Sequence, residues 1–460
     1  MAAAGACSAE SLADAIALAY KTNPNILGQR AVLGATNETF VQARDGYRPQ
    51  VSAQAVGTRQ DYQQLTSNTV SALITATQPI YTGGRTASAV SAAEADVLSG
   101  RETLRQTESA LLSQVIQAYA DVIRDQEAVA IHQANLDALS DQLKETAARA
   151  KQGDLTRTDV SQTQGYVFQA KVDLTSAQAQ LDASRAEYAA VVGQAPGALE
   201  PPPTLPNLPA NLDQALATGE LGNPQVRASQ YAEQAARLRT AEARDQRLPN
   251  VTFEMQYGYY GPQSPYTPNI YPKDTVATVT VTQPLFAGGT INSQVRQQIQ
   301  HEAAARDQTE AYRRTMVQQI AQAWSAWRAN SQNASTADDE VKANAVAYEG
   351  VQKEHRADLR STLEVLYIEQ SLREAELERS SARHDAYVSA ANLLAAMGLL
   401  QAELLVPGVN LYDPAKAFDR VRWAGAVPWE ILPSTLDHLT SPALKRLPPP
   451  PSQPVSPAGP

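Results

Sequence analysis

Polar and apolar residues follow two different rhythms along this chain. Strict alternation appears in "VTFEMQYGY" from Val251, where Val251, Phe253, Met255, Tyr257 and Tyr259 share one face and Thr252, Glu254, Gln256 and Gly258 the other. It returns in "TVATVTVTQ" from Thr275, with Ala277, Val279 and Val281 opposite Thr278, Thr280 and Thr282. A period of two predicts strands, so a strand pair is expected over about 249–286. The intervening "GPQSPYTPNIYPK", with Tyr266 and Tyr271, is rich in Pro and Tyr and reads as a loop. A weaker pair is expected over about 49–81, from "VSAQAVGTR" and "TVSALITAT".

Elsewhere apolar residues recur every three or four positions. Ile291, Val295, Ile299, Val317, Ile320, Trp324 and Trp327 mark one long helix over about 290–355, a stretch with no Pro and only Gly350. Leu104, Leu111, Val115, Tyr119 and Val122 mark another over about 85–152. Each stripe is narrow, Ala-rich and flanked by charged and amide side chains, as in helices packed side by side in a coiled-coil manner. Some 65 residues of helix extend about 100 Å. Return helices are expected over about 156–193 and 360–398, and shorter helices over 25–44 and 225–244.

These rhythms occur twice in the same order. "ITATQPIYTGG" (74–84) and "VTVTQPLFAGG" (279–289) lie 205 positions apart. Asn23-Pro24 returns as Asn223-Pro224, and "ARDGYRP" from Ala43 as "ARDQRLP" from Ala243. Gly153-Asp154-Leu155 is echoed by Ala357-Asp358-Leu359, Asp159 by Glu364, and Gly193 by Gly398. The chain is a tandem duplication, with repeats over 1–193 and 212–400 and a Pro-rich linker over 194–211. A C-terminal segment and Pro-rich tail occupy 401–460, the tail being expected either to be disordered or to wrap the outside.

Composition narrows the function. Hydrophobic residues make up 43% of the 460 residues but aromatics only 6%, which favours long Ala-rich helices over one thick core. A formal charge of −10 argues against nucleic acid as the main partner. The single cysteine, Cys7, excludes an internal disulfide and a Cys-based metal framework. Its setting after Ala4-Gly5-Ala6 suggests lipid attachment only faintly, since the usual Leu three positions earlier is missing. No apolar run reaches 18 residues, so no transmembrane helix is expected. "HEAAA" at His301 begins like a zinc-peptidase motif, yet Ala305 takes the second histidine's place. With no phosphate-cradling loop or nucleophile–base grouping, the chain reads as a non-enzyme without cofactor or metal.

The strands carry the remaining inference. Each is about long enough to cross a bilayer, with one face suited to lipid and one to water. A sheet in lipid must close, and the four strands of one chain are too few. In each repeat the joint between strand and long helix would be Gln-Pro-x-aromatic-x-Gly-Gly: Gln78, Pro79, Tyr81, Gly83 and Gly84, then Gln283, Pro284, Phe286, Gly288 and Gly289. Pro would disrupt the ladder, the glycines would permit a sharp exit, and Tyr81, Tyr257, Tyr259 and Phe286 would mark the membrane interface.

The duplication, both joints, "GDLTRTDV" at 153–160 and "RSTLEVL" at 360–366 resemble the TolC-type outer-membrane efflux and secretion proteins over essentially the whole chain. The resemblance implies a mainly α fold with a membrane β-barrel. A homotrimer would carry a twelve-stranded barrel on a long periplasmic α-helical barrel, girdled by a belt of linker and C-terminal residues. It implies residence in the outer membrane of a Gram-negative bacterium, with a periplasmic adaptor and an inner-membrane ABC transporter or proton-driven pump as partners. "VPGVNLYDP" (406–414) further resembles members serving type I protein secretion; small-molecule efflux is the alternative. A coiled-coil scaffold or adhesin is the rival of another class, disfavoured by the alternating hairpins. Matched to the family's pattern, Glu364, Tyr367 and Arg360 would line the constriction, Tyr367 standing where the family has a second acid. His355 with Asp159, and Arg360 with Thr158, would latch the gate, and Gly153, Asp154, Leu155, Asp358 and Leu359 would form adaptor-docking tips.

Overall fold

The structure, a computed structural model, describes residues 10–63, 65–263, 271–357, 359–406, 411–439 and 441–455. Each repeat begins with two short helices joined at Asn-Pro. In the first, α1 (Leu12–Thr22) is followed by α2 (Pro24–Arg44), β1 (Gln50–Tyr62), β2 (Leu65–Tyr81), α3 (Arg85–Gln152) and α4 (Arg157–Val192). The second repeats the order with α5 (Leu212–Gly222), α6 (Pro224–Asp245), β3 (Asn250–Pro262), β4 (Lys273–Thr282), α7 (Thr290–Arg356) and α8 (Thr362–Met397). The C-terminal segment adds α9 (Ala402–Leu405), α10 (Pro414–Val421) and α11 (Ile431–His438).

Both α1 and α5 escaped the periodicity analysis, although the repeated Asn-Pro marks their ends. Pro suits the first turn of a helix, where its missing N–H is no loss. The Asn before it caps that helix: Asn23 Oδ1 accepts from Asn25 N and Asn223 Oδ1 from Gln225 N, each at 3.0 Å. The same amide donates to the end of the return helix, Asn23 to Val191 O at 3.0 Å and Asn223 to Ala396 O at 2.9 Å. One dipeptide thus fixes two helix ends in each repeat.

The four strands form one antiparallel sheet in the order β1-β2-β3-β4. Its register aligns like with like. Ala53, Ile74, Tyr257 and Thr275 lie in one row, and Val51, Ala76, Met255 and Ala277 in another. On the opposite face, Gln54, Leu73, Gly258 and Asp274 form a row, as do Gln50, Thr77, Glu254 and Thr278. One face is therefore largely apolar and the other largely polar, and the apolar side chains of Val51, Ile74, Met255, Tyr257, Val279 and Val281 are exposed.

The two joints differ, contrary to expectation. β2 continues through Gln78 and Pro79 to Tyr81, passing a register shift beside Pro79. The β1 pairing ends at Thr77, so Pro79 borders β3 alone, and its missing N–H is absorbed as a bulge. β4 has a neighbour on one side only and stops at Thr282, before Gln283. Leu285 and Phe286 consequently stand 93% and 90% exposed.

Below the sheet, α3 with α4 and α7 with α8 form two long helical hairpins, joined by packing of α3 against α8. α6 lies between α3 and α7, and α2 lies against α3. The main core gathers where α1 and α5 meet the long helices, around Ile16, Leu112, Tyr119, Tyr188, Ile320 and Leu393. Trp324 and Trp327 pack against it, as interhelical side chains should. The Pro-rich tail wraps the outside: Leu447 N donates to Tyr231 Oη at 3.1 Å, and Val455 N to Thr218 Oγ1 at 2.9 Å.

Candidate functional site

Three regions could serve transport: the strand–helix joints, the seam between the hairpins, and the hairpin tips. At the joints both glycine pairs have positive φ, 71° and 84° at Gly83 and Gly84, 58° and 84° at Gly288 and Gly289. This left-handed backbone turns the chain from sheet to helix at little cost only in glycine. Gln78 and Gln283 brace the turn by donating to Tyr47 O at 2.9 Å and Arg247 O at 2.7 Å. The first joint is further held by Asp437 of α11, which is wholly buried. Its carboxylate accepts from Thr82 N at 2.9 Å, from the Thr82 hydroxyl, and from Gly84 N at 3.3 Å.

At the seam, His384 of α8 places Nε2 3.0 Å from Asp121 Oδ1 on α3, and its Nδ1 lies 2.9 Å from Asp385. Arg124 pairs with both Asp121 and Asp125 at 2.8 Å, while the Ser184 hydroxyl of α4 donates to Asp125. Burial pushes the His384 imidazole down, but the Asp121 and Asp385 carboxylates outweigh it and raise its pKa above the ordinary value. Sequence reasoning missed this cluster, because its members are scattered over 264 positions and only the antiparallel hairpins bring them together.

At the tips, Gly153, with φ 91°, caps the end of α3, and Thr156 caps the start of α4. Asp159 closes a capping box: Thr156 N and Oγ1 each donate to its carboxylate at 2.8 Å, and Asp159 N donates back to Thr156 Oγ1. The second tip repeats the device with Ser361 and Glu364, at 2.9 Å and 3.0 Å. Backbone and hydroxyl donors at these caps, joined at Glu364 by Arg360, hold both carboxylates below their ordinary pKa.

The structure does not bring His355 and Asp159 together. Asp159 is engaged by its own cap, and His355 Nδ1 sits 2.8 Å from Arg360 O in its own loop. Nor does Arg360 reach Thr158; it bridges Glu354 and Glu364 at 2.8 Å and 2.9 Å. Both capping boxes were visible as Thr-x-x-Asp and Ser-x-x-Glu, and local hydrogen bonding of this kind outcompetes a longer-range pairing. Gly153, Asp154 and Thr158 are exposed and Leu155 half-buried. Leu359 and Tyr367 are 74% and 69% exposed, and Asp358 lies outside the described residues, as do Cys7 and Tyr266.

Among the described residues no helix is long and apolar enough to cross a membrane, and no group of His, Cys, Asp and Glu could hold a metal ion. The family model for outer membrane efflux proteins matches residues 15–194 and 212–399, the two repeats. The chain belongs to this family. It is an outer-membrane protein of TolC-like fold, and not an enzyme. It is 29% identical to the outer membrane efflux protein BepC of Brucella suis over 439 residues, covering 91% of this chain and 92% of BepC. It is 22% identical to the outer membrane protein TolC of Escherichia coli, covering 86% and 84%. Among solved structures it resembles the outer membrane protein VceC of Vibrio cholerae, with a TM-score of 0.71 at 19% identity over 84% of this chain and 96% of VceC. It also resembles the open state of the Neisseria gonorrhoeae MtrE outer membrane channel, with a TM-score of 0.72 at 19% identity over 84% and 88%.

Proposed function

We propose that this protein is the outer-membrane duct of a tripartite export assembly, working as a homotrimer. The observation that carries the reading is the open sheet: an apolar and a polar face, with β1 and β4 as unpaired edges among the described residues. Unpaired backbone groups are not tolerated in lipid, so the edges must meet those of other copies. Three copies of a four-stranded sheet supply twelve strands, and three copies of α3, α4, α7 and α8 supply twelve long helices. α3 and α7, of 68 and 67 residues, are each long enough to carry the duct about 100 Å from the sheet.

In this reading the tips around Gly153–Leu155 and Leu359 dock a periplasmic adaptor, which couples the duct to an inner-membrane transporter. Glu364, Arg360 and Tyr367 line the narrow end. Glu364 is ionised and exposed near the tip, and exchanging an acid for Tyr367 weakens cation preference. Cargo is the finer question. Polypeptide export with an ABC transporter rests on "VPGVNLYDP" at 406–414, of which residues 407–410 lie outside the described residues. Small-molecule efflux is favoured by the similarity to BepC, named as an efflux protein.

A photo-crosslinker at Leu359, captured in living cells and identified by mass spectrometry, tests both. Capture of an ABC transporter's adaptor supports polypeptide export, and that of a proton-driven pump's adaptor supports efflux. Capture of cytosolic proteins alone removes the duct reading.

A further inference from the structure

Over residues 423–439 the C-terminal segment is built inside out, whereas α10 before it keeps Lys416 and Asp419 exposed. Both carboxylates of that stretch point into the protein: Glu430 is 4% exposed and meets Arg44 at 2.7 Å, and Asp437 is buried against the first strand–helix joint. Phe418 of α10 packs edge-on against Phe40 of α2, with ring centroids 4.9 Å apart. The large apolar side chains point out. Trp423, Trp429, Ile431, Leu432 and Leu439 are all more than half exposed. An element facing water would reverse this arrangement, burying the apolar side chains and solvating the carboxylates.

The position of the patch names its surroundings. Asp437 bonds directly to Thr82 and Gly84, where β2 becomes α3, and α11 packs on both. The apolar residues therefore lie level with the end of the sheet. Tryptophan favours the boundary between acyl chains and head groups. Here Arg44 and Arg422 stand 4.5 Å and 5.2 Å from the Trp423 ring, keeping its polar side charged.

We propose that residues 423–439 form a collar embedded in the periplasmic leaflet of the outer membrane, with Trp423, Trp429, Ile431, Leu432 and Leu439 among phospholipid chains. This rests on the reading that the sheet spans the membrane. Each copy would then carry an anchor beside its strands, holding the duct at a fixed depth.

The chain has four tryptophans, which makes the test direct. The full-length W324F/W327F variant keeps only the collar pair, and W423F/W429F keeps only the pair on α7. Both are reconstituted into phosphatidylethanolamine vesicles with plain or brominated acyl chains, and ion conductance is recorded across the same vesicles. The collar pair should lose most of its emission in brominated lipid while the α7 pair keeps its own. Unquenched collar tryptophans in conducting vesicles overturn the collar and leave the duct standing; unquenched tryptophans without conductance overturn both. Loss of the oligomer in I431K/L432K, with no bromine quenching, would assign the patch to a neighbouring copy and also overturn the collar.

Discussion

Two buried carboxylates on the periplasmic side hold separate parts of the molecule together, and each gives a measurable consequence. Asp437 accepts from two backbone N–H groups that are otherwise shielded from water. Asp437→Ala leaves both unsatisfied, at a cost of roughly 1–3 kcal/mol each. The denaturation midpoint of the purified oligomer should fall, whereas Asp437→Asn, which keeps an acceptor oxygen, should retain part of it. Equal midpoints for wild type and Asp437→Ala would mean that the joint needs no clasp. Asp121 poses a pH question, because its partner at the seam is His384. The His384 pKa is raised in the fold, so its contribution is full below the ordinary imidazole value of about 6.5 and lost as pH rises through the raised value. Asp121 is held low, so its own contribution is full above the ordinary carboxylate range and lost as pH falls through its depressed value. Raising the pH from 6 to 9 should therefore lower the wild-type midpoint, and His384→Asn should flatten that slope. An unchanged slope in the variant would place the pH sensitivity elsewhere.

At the scale of elements, the joints separate backbone strain from crowding. A Cβ at Gly289 would meet nothing within 4 Å, so Gly289→Ala should cost only the left-handed backbone, about 1–2 kcal/mol. A Cβ at Gly83 would come within 2.8 Å of Leu248 Cβ, so Gly83→Ala should cost more and slow assembly. Equal loss of stability in the two variants would refute that ordering. Both glycine pairs were legible in the sequence, as were the long helices, the sheet's two faces and the duplication, because all repeat with a period that periodicity analysis detects. What escaped detection depends on local bonding or on partners distant in the chain. Within one chain Asp159 is engaged by its own cap, whose donors Thr156 N and Oγ1 lie nearest in sequence. His384 and Asp121 lie on different repeats, and nothing in either segment announces the other. The first strand pair, expected over 49–81, ends at Tyr81, whereas β4 stops at Thr282, short of the expected 286, because it is an edge strand of the described sheet, and edge position is a property of the sheet.

At the scale of the whole molecule, the duplication predicts how copies meet. Within one chain β2 lies beside β3, with Ala76 opposite Met255 and Thr75 opposite Gln256. The second repeat reproduces β2 as β4 at an offset of 205, and the first reproduces β3 as β1 at an offset of 200. If copies join as the repeats do, β4 of one copy lies beside β1 of the next, with Val281 opposite Ala55 and Thr280 opposite Val56. This register keeps the apolar face continuous, since Val281 shares the row of Val251, and Ala55 that of Ala72 and Tyr259. A one-residue slip would turn apolar side chains toward the polar face, so the pairing is strongly selected. Opposed residues in such a pair have Cα atoms about 4.5–5.5 Å apart, within the range a disulfide requires. Thr280→Cys with Val56→Cys, in a Cys7→Ser background that removes the only native thiol, should therefore oxidise into chains linked head to tail. On a non-reducing gel the product should run as a linked trimer, while Thr280→Cys paired with Ala55→Cys should link poorly, because those side chains face opposite sides. Efficient linking of the second pair but not the first would shift the register between copies by one residue. Monomer bands from both would remove the edge-to-edge ring and with it the closed barrel.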